Sequence, residues 1–191
     1  MAINNSPDGS QGFLIGYLML AEVAQNRFRG AYMIVDEVGV PKEAWFSDPI
    51  DVTRVQRILY GASLRAHLAR DHCRKALLQS CKQRPCCIIA DGPEFLELHT
   101  SDLPVLYIEK SPPIHADLSS AGMGEDEGAS DVQPVIEHLN TSKGAHEDYD
   151  SVLPLVRGLY TALDVVEPFE RLRIAVGEVE RAAQETARKK Q

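Results

Sequence analysis

A chain of 191 residues, 44% hydrophobic and 25% charged, has the make-up of a globular protein; this excludes disorder over most of its length and gives material for one good core. Its formal net charge of −8 is unevenly spread, because the segment from Thr53 to Arg84 holds eight basic residues (Arg54, Arg57, Arg65, Arg70, Arg74, Lys75, Lys82 and Arg84) against one acid, Asp71. That segment carries +7 and the remainder −15, an asymmetry that suggests a docking surface.

Residues 1–11, with Asn4, Asn5, Ser6, Pro7, Asp8, Gly9 and Ser10, are turn formers with nothing to pack and read as a disordered N-terminus. Order is expected from Phe13. The apolar run from Phe13 to Ala24 contains Glu22, is short for a membrane span and follows a leader with no Lys or Arg, so it reads as a buried strand. No membrane association is expected. Gly30 to Asp36 reads as a second strand, Asp36 to Gly39 as a hairpin turn, and Lys42 to Phe46 as the antiparallel return.

Thr53-x-x-Gln56 has the form of a capping box and starts a helix. Val55, Ile58, Leu59, Ala62, Ala66, Ala69, Cys73, Ala76 and Leu77 then recur at steps of three and four, the pattern of one buried stripe, with most Arg residues off it. Gly61 weakens the helix interior by roughly 1 kcal/mol relative to Ala, which leaves room for a break near it or near Asp71-His72, but the segment reads as one long helix. Pro85 ends the helix. Cys86 to Ala90 and Pro104 to Glu109 read as short strands, with Glu94 to His99 as a third between them. Residues 111–150 hold nine acids and one Lys among Pro and Gly, and read as an acidic mobile loop, the stretch around Val135 to Leu139 excepted. In residues 151–191 apolar residues again follow a helical period. Phe169, Leu172, Val176, Val179 and Ala183 form a narrow seam that fits packing on the core or on a partner chain.

The expected fold is α+β: an antiparallel sheet of five or six strands packed on one long amphipathic helix, with a C-terminal helical element. Residues 12–110 form the core domain in this reading.

Four chemistries are weighed against this frame. His72, Cys73, Cys81 and Cys86 supply soft metal ligands, but Cys73 and Cys81 are eight apart on a predicted helix, and Cys86-Cys87 would point to opposite faces of a strand; small buried thiols are the simpler reading, and no cofactor is expected. Four cysteines in one stretch without a secretory signal point to a reducing cytoplasm. A metal-dependent nuclease or phosphohydrolase would use strand-end acids, Asp91 and Glu109, to hold Mg²⁺; the acid-x-Lys spacing is absent, since Lys110 directly follows Glu109. No nucleophile elbow, phosphate loop or dinucleotide glycine pattern occurs. Nucleic acid is not favoured as a partner of the basic helix, because the whole chain is acidic and Tyr60 is the only aromatic residue in it.

The run Ala31 to Ile50 (AYMIVDEVGVPKEAWFSDPI), followed by Val52 to Gly61 (VTRVQRILYG), resembles a segment found in uncharacterised bacterial proteins. The resemblance covers about thirty residues and implies no function for any position. The functional expectation is therefore a non-catalytic interaction subunit of a cytoplasmic bacterial assembly. A protein partner or a second copy would be met by Arg54, Arg57, Arg65, Arg70 and Arg74 and by Phe169, Leu172, Val176 and Val179. The rival is the hydrolase using Asp91 and Glu109.

Overall fold

The computed structural model describes residues 12–78, 80–96, 103–108, 139–141, 152, 154–156 and 164–189, with residues 74–78, 108 and 139–141 described by backbone alone. The N-terminal eleven residues, Glu109 and most of the acidic 111–150 segment lie outside them.

Three strands open the chain: β1 (Ile15–Ala24), β2 (Arg27–Val35) and β3 (Pro41–Phe46), each antiparallel to the one before. A two-residue turn closes the first hairpin, with Asn26 at φ 61. The second closes on Asp36, whose Oδ1 accepts the N–H groups of Val38 and Val40, while Gly39 takes φ 79. The short β4 (Ile50–Asp51) pairs with the start of β2, beyond the end of β3.

The chain then makes a helical crossover. It consists of α1 (Arg54–Tyr60), a 3₁₀ turn (Gly61–Ser63), α2 (Leu64–Leu68) and a π-helical stretch (Ala69–Leu78). A crossover of this length lets β5 (Cys87–Ala90) return parallel to β1, with Ile15 opposite Cys87 and Leu18 opposite Ala90. Next to it, β6 (Val105–Ile108) is parallel to β5, and β7 (Leu139–Thr141) is antiparallel to β6. The order is β3-β2-β1-β5-β6-β7, with β4 off the row. The sheet is therefore mixed, not antiparallel as expected. Glu94 does not lie in a strand either: Pro93–Phe95 is a 3₁₀ turn. Within the expected acidic loop, Leu139–Thr141 is strand.

Both faces of the sheet are covered, which explains why β1, β2 and β5 are apolar almost without interruption. On one face Ile15, Tyr17, Met19, Met33, Val35, Ile89 and Leu106 pack with Val152, Val156 and the helix α3 (Glu167–Lys189), through Phe169, Leu172 and Val176. On the other, Leu18, Leu20, Phe28, Tyr32, Ile34 and Ile88 pack with Leu64, Leu68, Ala69 and Cys73 of the crossover and with Phe95. Burying a side chain of this size contributes roughly 1.5–3 kcal/mol.

Polar contacts fix α3 against β2. Glu180 is buried and takes Arg29 Nη2 at 2.7 Å and Arg27 Nε at 2.7 Å; Arg29 also donates to the Ser47 carbonyl and Arg27 to Asp51. Burial pushes the Glu180 carboxyl up, yet the hydrogen bonds from Arg29 and Arg27 hold it below the ordinary value of 4.5. At the other end of α3, Arg171 pairs with Glu167 at 2.9 Å and donates to the Gly39 carbonyl of the β2–β3 turn at 2.9 Å.

Candidate functional site

The crossover begins as its sequence suggests. Thr53 Oγ1 accepts the Gln56 N–H at 3.2 Å and Gln56 Oε1 accepts the Thr53 N–H at 2.9 Å, a complete capping box. Val52, just before it, is buried under the sheet. Beyond that anchor no residue of α1 is buried, and Val55, Ile58 and Leu59 are 64%, 70% and 77% exposed. The buried stripe expected from Val55 onward is thus corrected for its first two turns. At about 3.6 residues per turn the three share one arc. Arg57, on the opposite side, donates to Glu22 Oε1 at 2.9 Å and to Asn26 Oδ1 at 2.6 Å, tying the helix to the β1–β2 turn. Tyr60 stacks on His67 of α2 at 4.4 Å between ring centroids.

Gly61 supplies the break. It takes φ 49 and ψ −125, and its N–H closes on the Arg57 carbonyl. A side chain at this φ would be strained whatever the space around it. The change of direction sends Leu64, Leu68, Ala69 and Cys73 into the sheet and leaves the part before Gly61 facing solvent; of these only Ala69 and Cys73 belong to the expected stripe, whose Ala62 is exposed and Ala66 half-buried.

The other basic residues divide. Arg65 Nε donates to Glu94 at 2.7 Å and its Nη2 to the Leu20 carbonyl at 3.0 Å, bridging the crossover to the middle of β1 and to the 3₁₀ turn after β5. Arg70 is exposed and pairs with the neighbouring Asp71 at 3.2 Å. The Arg74 side chain lies outside the described residues. Arg54 is exposed at the edge of the apolar arc of α1.

Asp91 follows β5 directly. Its N–H donates to the Leu18 carbonyl at 3.1 Å, and its Oδ1 accepts one long hydrogen bond, from the Leu20 N–H at 3.4 Å. Burial raises its carboxyl from 3.8 to about 6, Arg65 opposing and Glu94 adding to the shift. Asp91, Glu94 and Arg65 gather where β5 ends, beside Leu18 and Leu20 of β1.

The remaining predicted residues do not converge on a second site. Cys73 and Cys81 belong to the face covered by the crossover, and burial raises their thiols to about 12 and about 11. Cys86 and Cys87 belong to the α3 face, where Cys87 donates to Cys86 and holds the Cys86 thiol below its ordinary value. None of the four cysteines forms a disulfide, and among the described residues no three His, Cys, Asp or Glu stand close enough to hold a metal ion. His72 sits edge-on to His67 at 6.3 Å. Phe169, Leu172 and Val176, read as partner-facing, point into the protein's own core because α3 lies on β1 and β2, with Phe169 edge-on to Tyr17 at 5.1 Å; Val179 is half-buried.

Sequence reasoning missed Glu180 and Arg29. Their signal was present: Glu180 falls four residues after Val176 on the stripe of α3, and Arg29 interrupts an apolar strand, so each is a charge at a core position.

Fold and sites together define an α+β protein with a mixed sheet covered on both faces, an outward apolar helix face and a raised carboxyl, Asp91, at the end of β5. No known family model and no curated protein matches the chain. Among the described residues no helix is long and apolar enough to cross a membrane.

Proposed function

We propose that this chain is a non-catalytic interaction subunit of a cytoplasmic bacterial assembly and that α1 is its docking element. One observation carries the reading: a capped and anchored helix that presents Val55, Ile58 and Leu59 to solvent while its polar side faces the body. Single exposed apolar residues are ordinary on a protein surface, but three on one helical arc mark an interaction face. The cytoplasmic part of the reading rests on the cysteine pattern described above.

The test is a binding measurement with Ile58→Asp. Its side chain is exposed, so thermal unfolding should match the parent while association with the native partner falls by about a hundredfold, the loss of a central interface anchor. Unchanged association would sink the reading.

A second reading, hydrolysis at Asp91, is favoured by its raised carboxyl beside Glu94 and Arg65 at the end of β5. It requires divalent-metal-dependent cleavage of DNA or RNA that Asp91→Asn abolishes, and a preparation without such cleavage rejects it.

A further inference from the structure

We infer that Cys86 and Cys87 form a reversible redox site, in which a hydroperoxide oxidises Cys86 and Cys87 resolves the product as a disulfide between the two neighbours. The inference is independent of the docking role given to α1. A regular strand sends adjacent side chains to opposite faces. Cys86 lies just before β5 begins at Cys87, and both side chains pack on the α3 face of the sheet. There the Cys87 thiol donates to the Cys86 sulfur. The two differ in access: Cys87 is 0% exposed, whereas Cys86 is only partly buried. An accessible, readily ionised thiol beside a second thiol is the arrangement of a peroxide-sensing cysteine with its resolving partner.

Reactivity separates Cys86 from the other cysteines. The hydrogen bond from Cys87 holds its thiol below the ordinary value of 9.0 against the opposing effect of burial, while burial raises Cys73 to about 12 and Cys81 to about 11. The thiolate is the nucleophile. Cys86 takes the terminal oxygen of the peroxide; the S–O bond forms, the O–O bond breaks, and the departing alkoxide takes up the proton that Cys86 released on ionising. The Cys87 sulfur then attacks the sulfur of the sulfenic acid, the S–O bond breaks, and water leaves with the Cys87 proton. The pair has lost two electrons, and the peroxide has been reduced to an alcohol and water. Neighbouring α-carbons stand about 3.8 Å apart, closer than the roughly 4.4–6.8 Å of relaxed disulfides. The sheet restrains them further, since the Cys86 N–H donates to the Leu14 carbonyl at 2.8 Å and Cys87 stands opposite Ile15 of β1. A bridge closed against that restraint is strained, and strained disulfides are the easily reduced ones that serve as switches.

The experiment treats the reduced full chain with one equivalent of hydrogen peroxide at neutral pH, blocks the remaining thiols by alkylation, and maps tryptic peptides by mass spectrometry. Cleavage after Lys82 parts Cys81 from the pair, so a bridge within one peptide identifies the two neighbours. The expected product is a peptide holding Cys86 and Cys87, unalkylated and lighter by two hydrogens, which dithiothreitol returns to the dithiol. Cys87→Ala should instead halt at a Cys86 sulfenic acid that dimedone captures. In the parent chain, iodoacetamide should modify Cys86 at least about tenfold faster than Cys81, because the larger thiolate population outweighs the weaker nucleophilicity of the more acidic thiol. That comparison needs no substitution and stands even where Cys87→Ala fails to fold. Alkylation of Cys86 no faster than of Cys81 would overturn the inference. So would a peroxide product in the parent chain that joins Cys86 to Cys81 or leaves Cys87 a thiol.

Discussion

The two halves of the basic crossover differ in what their apolar residues touch. Up to Leu59 they face solvent; in the second half Leu64, Leu68, Ala69 and Cys73 are buried against Leu18, Leu20 and Ile88. The expected stripe runs from Val55 to Leu77 at one period and leaves out Leu64 and Leu68, which the fold buries, while Ala62 on it is exposed. The lesson is that periodicity identifies an apolar face and leaves open what covers it, because a single residue at positive φ, Gly61, turns the second half onto the sheet and the first half away. Both halves are held by arginines that reach β1 or its turn, Arg57 to Glu22 and Asn26, and Arg65 to the Leu20 carbonyl. The outward half is thus fixed in place without being covered.

The contrast is broken most directly by truncating one side chain in each half. Leu68→Ala should cost about 2–5 kcal/mol in denaturant unfolding, as expected for a large core residue, whereas Leu59→Ala should stay within about 0.5 kcal/mol. Equal losses would show that α1 is covered in solution.

Asp91 sharpens the buried half through pH. Its carboxyl is raised from 3.8 to about 6, so between those values the folded state holds a proton that the unfolded chain has released. Ionised Asp91 therefore costs stability, a cost absent below its unfolded value and complete above its folded one. Asp91→Asn should raise stability by about 1–3 kcal/mol at about pH 7.5 and leave it unchanged at about pH 3.5, read from unfolding curves across that range. A variant no more stable than the parent at the higher pH would refute the assignment.

The smallest effect tests the outward half alone. Thr53→Ala removes the capping box and should cost about 1 kcal/mol, seen as faster amide exchange confined to α1 with the core amides unaffected. Faster exchange in β1 and β5 as well would mean that the two halves open together.

Much of the fold was legible. The β1–β2–β3 meander follows from apolar runs separated by turn residues, and the Asp36–Gly39 turn has its side-chain acceptor and its positive-φ glycine where the sequence places them. The parallel pairing was not legible. A strand buried on both faces shows no alternation, so Cys87–Ala90 carries no mark of which neighbour it joins or in which direction. Glu94 was misplaced for a related reason: Gly92-Pro93 starts a 3₁₀ turn, and only the fold brings its carboxylate to Arg65. Of the candidate site, the arginines were visible and the outward arc was not, since exposure of Val55, Ile58 and Leu59 depends on the direction in which Gly61 sends the chain.

The pairing of β1 also orders events during synthesis. Its antiparallel neighbour β2 follows after two residues, but its parallel neighbour arrives only with β5, and Leu20 meets Asp91 across 71 positions. A nascent chain that has completed the first hairpin therefore carries the bare inner edge of β1 until the whole crossover has been translated. Contacts of such long sequence separation form late. During that interval the centre of the finished sheet is an unpaired edge, the kind of surface that recruits other strands, and the growing chain is at its most vulnerable to aggregation there.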